Sequence, residues 1–425
     1  DRGSEELKIP RYNGGLFQAD AGIDNIDLPD EVCEGFKALG EYDFASEVSV
    51  TVLGHIFEQS ISDVERLQAQ ARGEATEPEK TAGTTGRRKR DGVVYTPDYI
   101  ARFIVAETLG AHLDEIFNSI LRAHAKAGTD ISDYEKISWR NKKSSEMDAW
   151  QAYRDRLKTL RIVDPACGSG AFLITALRYL LDEWRALRTL RREQLGETMR
   201  RDEDAVIRDI LESNIYGVDI NGASVEISKL ALWLHTARGD RPLSSLDRNI
   251  REGNSLIGPE FHEGLAPYSA EERERINAFD WQAAFPEVFA RGGFDVVVGN
   301  PPYVKLQNFR RVHPDMARFL AKPPEQGGRY ESTQTGNFDL YLPFIERGLS
   351  LLNPKGRLGY IAPSLWTVNE YGAGLRRHVA RGRYLYGWID FGSFQVFEEA
   401  TTYTALQFYS RAPNDGVRLA KVQRT

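Results

Sequence analysis

One nine-residue segment, Asp164-Pro165-Ala166-Cys167-Gly168-Ser169-Gly170-Ala171-Phe172, constrains the fold of this chain more than any other. It follows a short apolar run, Arg161-Ile162-Val163, and leads into residues 171–187, which carry helical apolar spacing. Glycines between a strand and a helix let the backbone turn sharply and approach a ligand closely. Ligands of open α/β sheets bind at such carboxyl ends of strands. Dinucleotide-binding loops share this layout. Their G-x-G-x-x-G fingerprint is not met, because Leu173 stands where the third glycine belongs after Gly168 and Gly170.

The alternation continues downstream. Residues 215–220 read as a strand and 223–236 as a helix. Residues 294–298 (FDVVV) form an apolar, β-branched strand bounded by glycines. Then come a helix over 338–352, a strand over 357–362, part of a helix over 375–379, a strand over 384–391 and a final strand over 401–409. The pattern predicts an α/β fold: a mostly parallel sheet with helices on both faces and a terminal antiparallel hairpin. Ahead of it, residues 1–68 read as mostly helical, with a helix start at 29–34. Residues 69–92 read as a linker or surface loop ending in a basic run. Tyr95-Thr96-Pro97 opens an apolar helix over 99–113, and 118–159 is a charged helical excursion. The expected division is a helical connector over 1–92 and a catalytic domain over 93–425 with an insertion at about 118–159.

Composition narrows the class. The chain has 425 residues, 41% hydrophobic and 28% charged, as in soluble globular proteins. No apolar run approaches the roughly 20 residues that span a bilayer, and the N-terminus has no signal-peptide layout. Two cysteines give neither a disulfide framework nor a zinc cluster, which fits a reducing cytoplasm, and the scattered histidines predict no metal. A net charge of −7 excludes a chain that coats nucleic acid indiscriminately. A local basic face remains open at Arg87-Arg88-Lys89-Arg90, at Lys305 with Arg310-Arg311, or at Arg376-Arg377 with Arg381 and Arg383. Each patch reads equally well as a solvated surface.

Two further sites carry chemistry. Asp219 ends the strand over 215–220, where an acid can accept hydrogen bonds from both hydroxyls of a ribose, although an Asp there can also cap a helix. Asn300-Pro301-Pro302-Tyr303 follows the FDVVVG strand. Consecutive prolines stiffen the loop. A stiff loop can present the Asn amide oxygen and a backbone carbonyl to the two N–H groups of a planar amine, with Tyr303 as a stacking face.

The order Tyr95-Thr96-Pro97, DPACGSGAF, YGVDI, Gly253-Asn254-Ser255-Leu256 and NPPY resembles the gamma-class amino-methyltransferases of DNA. It looks closest to the adenine methylase portion of type IIG restriction–modification enzymes and related phage-defence methylases. The segments IPRYNGGLF, GNFDLYLPFIERGLSLLNPKGRLGYIAPS and FQVFEEATTYTALQFY are similar to that group too, so the resemblance spans nearly the whole chain. It implies a class I, Rossmann-like methyltransferase fold and S-adenosyl-L-methionine as cofactor. The activity implied is transfer of a methyl group to the N6 amine of an adenine turned out of double-stranded DNA, in a bacterial or archaeal cytoplasm.

By matching position, the resemblance implies that Thr96, beside Tyr95, touches the methionine carboxylate. Asp164 and the backbone of Ala166, Cys167, Gly168 and Gly170 hold the amino-acid part, and Asp219 holds the ribose. Asn254, beside Ser255, contacts the cofactor adenine, and Phe172, Ile220 and Pro302 form apolar walls. Asn300 with the Pro301 carbonyl binds the target amine. Tyr303 stacks on the base, and Phe397, or failing that Phe394, closes its other side. The group's nuclease and target-recognition domains find no counterpart here: Glu77-Pro78-Glu79-Lys80 imitates E-x-K spacing inside a linker, and the chain ends where target recognition would begin. N4-cytosine methylation and a catalytically silent cofactor-binding scaffold remain as alternatives.

Overall fold

The computed structural model describes residues 96–124, 147–195, 203–234, 246–262, 269–322, 326, 328–397 and 403–422, with a few positions between 25 and 34. The connector expected over 1–92, its basic run 87–90 and Tyr95 lie outside the described residues. The exceptions include Asp30, Glu31 and Glu34, which are helical where a helix start was expected.

Eight strands form one sheet in the order β3-β2-β1-β4-β5-β7-β6-β8. β1 (Ile162–Asp164), β2 (Ile215–Asp219), β3 (Ile250–Glu252), β4 (Phe294–Gly299) and β5 (Leu352–Pro363) run parallel. β7 (Thr404–Ser410) lies antiparallel between β5 and β6 (Leu385–Asp390), and β8 (Arg418–Lys421) runs parallel to β6. β1 and β4 are buried along their full length, as strands covered on both faces must be.

Side chains alternate between two apolar layers. Ile162, Val296, Val298 and Ile361 face one layer with helices α1 (Asp98–Val105), α2 (Ala111–His124), α3 (Met147–Thr159), α4 (Ala171–Leu195), α5 (Glu203–Ser213) and α6 (Gly222–Trp233). Val163, Val297, Tyr360 and Tyr409 face the other, with α7 (Leu306–Val312), α8 (Pro314–Leu320), α9 (Tyr341–Leu351) and α10 (Ala373–Gly382). The doubly wound sheet expected from the sequence is therefore present.

Two expectations need correction, and two strands went unread. The strand over 401–409 is not the last, because β8 follows it, so the β6–β7 hairpin is not terminal. β8 is exposed at every residue and so leaves no apolar alternation to read. β3, three residues long, gave no signal either. The helix expected over 99–113 runs on: a π-turn, Ala106–Gly110, joins α1 to α2.

Asp295, in β4, locks the amino ends of the strands. Its carboxylate accepts from Arg156 Nη2 at 2.9 Å, the Arg161 N–H at 2.8 Å and Asn353 Nδ2 at 3.0 Å, and His112 Nε2 lies 3.6 Å away. Burial works against its ionisation, but His112, Arg156 and the Arg161 N–H together hold the carboxyl below the usual range. One side chain thus joins α2, α3, β4 and the start of β5. The opposite, carboxyl ends of β1 and β4 are where the strand order reverses, which is the ligand crevice of open α/β sheets.

Candidate active site

The glycine loop is fixed from two sides. Asp219 Oδ2 accepts from the Gly168 N–H at 2.9 Å, and its Oδ1 accepts from the Asn221 N–H at 2.9 Å. Ser228, on α6, donates to the Gly168 carbonyl at 2.7 Å. Gly170 has φ +86, and a Cβ there would stand 3.0 Å from Ser228 Oγ, so any side chain would be strained and crowded. Gly168 also has positive φ, but nothing lies within 4 Å of where its Cβ would be, and the loop opens onto free space there.

Asp164 ends β1 almost wholly buried, accepting from the Ala166 N–H at 3.0 Å. Gly299, the last residue of β4, passes so close that an added Cβ would sit 2.7 Å from Asp164 Oδ1. Burial raises the Asp164 pKa to about 8, the negative charge of Asp219 adding to it and the Ala166 N–H opposing it. Burial raises Asp219 as well, against the N–H groups of Asn221 and Gly168. Two buried carboxyls beside an open glycine loop offer acceptors, and a cation bound there would draw Asp164 toward its ionised form. This acceptor set fits S-adenosyl-L-methionine, whose sulfonium and ammonium groups are positive and whose ribose carries hydroxyls.

The expected cofactor contacts divide. Ile220, directly after Asp219, is half-exposed, as an apolar wall must be to meet a ligand. Phe172 and Cys167 are buried in the sheet layer, with the thiol beside Ser228. Asn254, expected against the cofactor adenine, is bonded within the chain here: its Oδ1 accepts from the N–H groups of Leu256 and Ile257, and its Nδ2 donates to the Ile276 carbonyl at 3.3 Å. Ser255 is buried and donates to the Pro165 carbonyl at 2.6 Å, holding the first motif rather than facing a ligand.

Asn300 sits where β4 ends. Its Nδ2 donates to the Oγ1 of buried Thr96 at 3.1 Å, across 204 residues of sequence. That bond sets which way the amide faces, and the sequence, which implies only a methionine-carboxylate contact for Thr96, does not show it. Pro301 is buried and Pro302 half-buried behind it. Tyr303 donates its hydroxyl to the Ile361 carbonyl at 3.1 Å, and burial pushes its phenol well above the ordinary value. The Tyr303 and Phe397 rings meet edge to face, centroids 6.1 Å apart and planes at 62°. Phe394 instead stacks on Phe391 and is exposed, so of the two candidates only Phe397 faces Tyr303. At this spacing and tilt no base fits between the rings until one of them turns. Among the described residues, no three His, Cys, Asp or Glu side chains converge as a metal-ligand set.

Residues 213–397 match the Eco57I restriction-modification methylase family. The chain is similar to the type II restriction enzyme and methyltransferase RM.Eco57I of Escherichia coli, 32% identical over 276 residues, 62% of this chain and 26% of that protein. It is similar to the type II methyltransferase M.PaeR7I of Pseudomonas aeruginosa, 30% identical over 263 residues, 61% of this chain and 37% of that protein. The adenine-specific methyltransferase PglX of Streptomyces coelicolor is 27% identical over 242 residues, 51% of this chain and 18% of that protein. The chain thus spans between about a fifth and two fifths of the length of these relatives. In fold it is similar to MmeI, a Type IIL restriction-modification enzyme solved in complex with DNA. The TM-score is 0.54 at 16% identity, covering 89% of this chain and 42% of that one. DPACGSGAF and NPPY are thus brought to one crevice at the sheet's switch point, and residues 213–397, which include NPPY, are similar to the Eco57I restriction-modification methylases.

Proposed function

We propose that this chain transfers a methyl group from S-adenosyl-L-methionine to the N6 amine of adenine in double-stranded DNA, within a restriction–modification or phage-defence system. The observation that carries the reading is the Thr96-anchored Asn300 at the end of β4, beside the facing rings of Tyr303 and Phe397. The target adenine must leave the duplex stack, at a cost of about a few kcal/mol. Asn300 Oδ1 and the Pro301 carbonyl then accept the two N–H groups of the amine and turn its lone pair toward the methyl donor. Bound S-adenosyl-L-methionine supplies an electrophilic methyl on a sulfonium. Asp164, Asp219 and the N–H groups of the glycine loop hold the cofactor.

Tyr303 stays neutral, because burial raises its phenol and its proton is committed to Ile361, so it stacks on the base rather than accepting a proton. The amine proton leaves to water. The adenine-specific naming of PglX and the asparagine ahead of Pro-Pro favour adenine over cytosine.

The test is nucleoside mass spectrometry of DNA from a methylation-free host expressing the complete parent protein. N6-methyladenine is expected, and Asn300→Ala should abolish it while cofactor binding persists. N4-methylcytosine in its place would move the target to cytosine. Neither nucleoside from a soluble protein that binds the cofactor would leave the silent scaffold.

A further inference from the structure

The loop that presents Asn300 and Tyr303 runs without a break into α7, Leu306–Val312. The short helix is rigidly seated. Leu306 is buried, the Leu306 N–H donates to the Phe338 carbonyl at 2.9 Å, and the Leu340 N–H donates to the Val304 carbonyl at 2.9 Å. Phe309 packs against the core below. The opposite side is polar and open: Lys305, Gln307, Asn308, Arg310 and Arg311 are all exposed.

Most of the cations around α10 differ from these, Arg377 alone among them being exposed without an ion pair or side-chain hydrogen bond among the described residues. Around that helix, Arg376 donates to the carbonyls of Trp366 and Asn369, Arg381 pairs with Glu331, and Arg383 pairs with Asp415 at 3.2 Å. Those three arginines serve the fold. Arg310 and Arg311 make no ion pair and no side-chain hydrogen bond among the described residues, and Lys305 faces only the half-buried Asp339. Two adjacent exposed guanidiniums without an acidic partner among the described residues, in a chain of net charge −7, make a local positive site.

We infer that Lys305, Arg310 and Arg311 hold the DNA backbone beside the extruded base, α7 carrying them as a phosphate clamp built onto the catalytic loop. The inference rests on the reading of this site as a base-flipping DNA methylase. An extruded nucleotide stays covalently joined to its neighbours, so its flanking phosphates must lie near the pocket mouth. Lys305 follows the stacking Tyr303 by two residues, and the arginines stand about one and a half helical turns further on. Arginine forks match phosphate oxygens, and Gln307 and Asn308 can donate to the same backbone. Such contacts fix position without reading sequence.

The experiment measures equilibrium binding of a mixed-sequence DNA duplex by the complete parent protein, across salt concentrations, for the wild type and the double variants R310A/R311A and R310K/R311K. Cofactor binding is measured alongside on each protein. Each phosphate contact contributes roughly 0.9 to the slope of log K against log salt. R310A/R311A should reduce that slope by about 2 and weaken binding at least about tenfold at low salt, with cofactor affinity unchanged. R310K/R311K should keep most of the slope. A wild-type slope in R310A/R311A would overturn the clamp and leave the methylase reading standing. Failure of the wild type to bind DNA at any salt, with cofactor bound normally, would overturn both.

Discussion

At the scale of single residues, Thr96 and Asp164 carry the sharpest consequences. The Thr96 hydroxyl holds the Asn300 amide at 3.1 Å, so it is a positioning residue for the amine-binding oxygen. Losing one such bond costs about 0.5–1.5 kcal/mol, or about 2- to 12-fold in rate. Thr96→Val should slow single-turnover methyl transfer by about that factor, and Thr96→Ser should restore it. Asp164 makes a pH prediction. Its carboxyl titrates near pH 8 in the fold, against about 4 in the unfolded chain. The folded state therefore keeps a proton that the unfolded state has lost. Stability from this group is full below pH 4, falls as pH rises, and stops falling above about 8. A cationic cofactor prefers the ionised carboxylate, so its affinity should climb with pH by up to about tenfold per unit and level off near pH 8. Calorimetry in buffers of different ionisation enthalpy should detect the released proton, and Asp164→Asn should remove both effects.

At the scale of elements, Asp295 joins four of them through one carboxylate far from the chemistry. Asp295→Ala leaves the Arg161 N–H and the Arg156 guanidinium without their acceptor in a buried place. Breaking a buried charged network at one partner typically costs about 3–5 kcal/mol, and the half-exposed Arg156 puts this case at the low end. A lower urea midpoint at an unchanged m-value would register it, whereas a stability equal to wild type would show that the network is dispensable. Because its pKa is depressed in the fold, this group stabilises above its unfolded pKa near 4 and loses that contribution as pH falls through the lower folded value. Asp295 and Asp164 thus respond to pH in opposite directions.

At the scale of the whole molecule, the crevice is assembled from loops after β1, β2 and β4, together with Thr96 ahead of α1. A ligand that touches all of them must stabilise the fold as a unit. At 100 times its dissociation constant, a cofactor adds about 2.7 kcal/mol. For a chain of 425 residues that corresponds to a rise in Tm of about 3 °C. Differential scanning fluorimetry should find that rise in the wild type and lose it in Asp219→Ala, since Asp219 both anchors Gly168 and stands where the ribose is proposed.

Much was legible in the sequence because it is local. The strands are contiguous apolar runs, and DPACGSGAF and NPPY are single stretches of chain whose glycines and prolines dictate a turn on the spot. The alternation of strands and helices followed from those runs, except for β3, too short to read, and β8, which buries nothing, whereas the order of the strands in the sheet did not. What folding alone decided are the contacts between distant segments. The Thr96 hydroxyl could not be assigned to Asn300 without β4 and the start of α1 being brought together. Asn254 could not be known to spend its amide on its own turn, because an asparagine has the same side chain whether it binds backbone or ligand. Nor could the composition tell Arg310 and Arg311, on α7 without an acidic partner among the described residues, from Arg381, paired with Glu331. A charge is written in the sequence, but its partner is set by the tertiary structure, because hydrogen bonds and ion pairs depend on distance in space and not on distance along the chain.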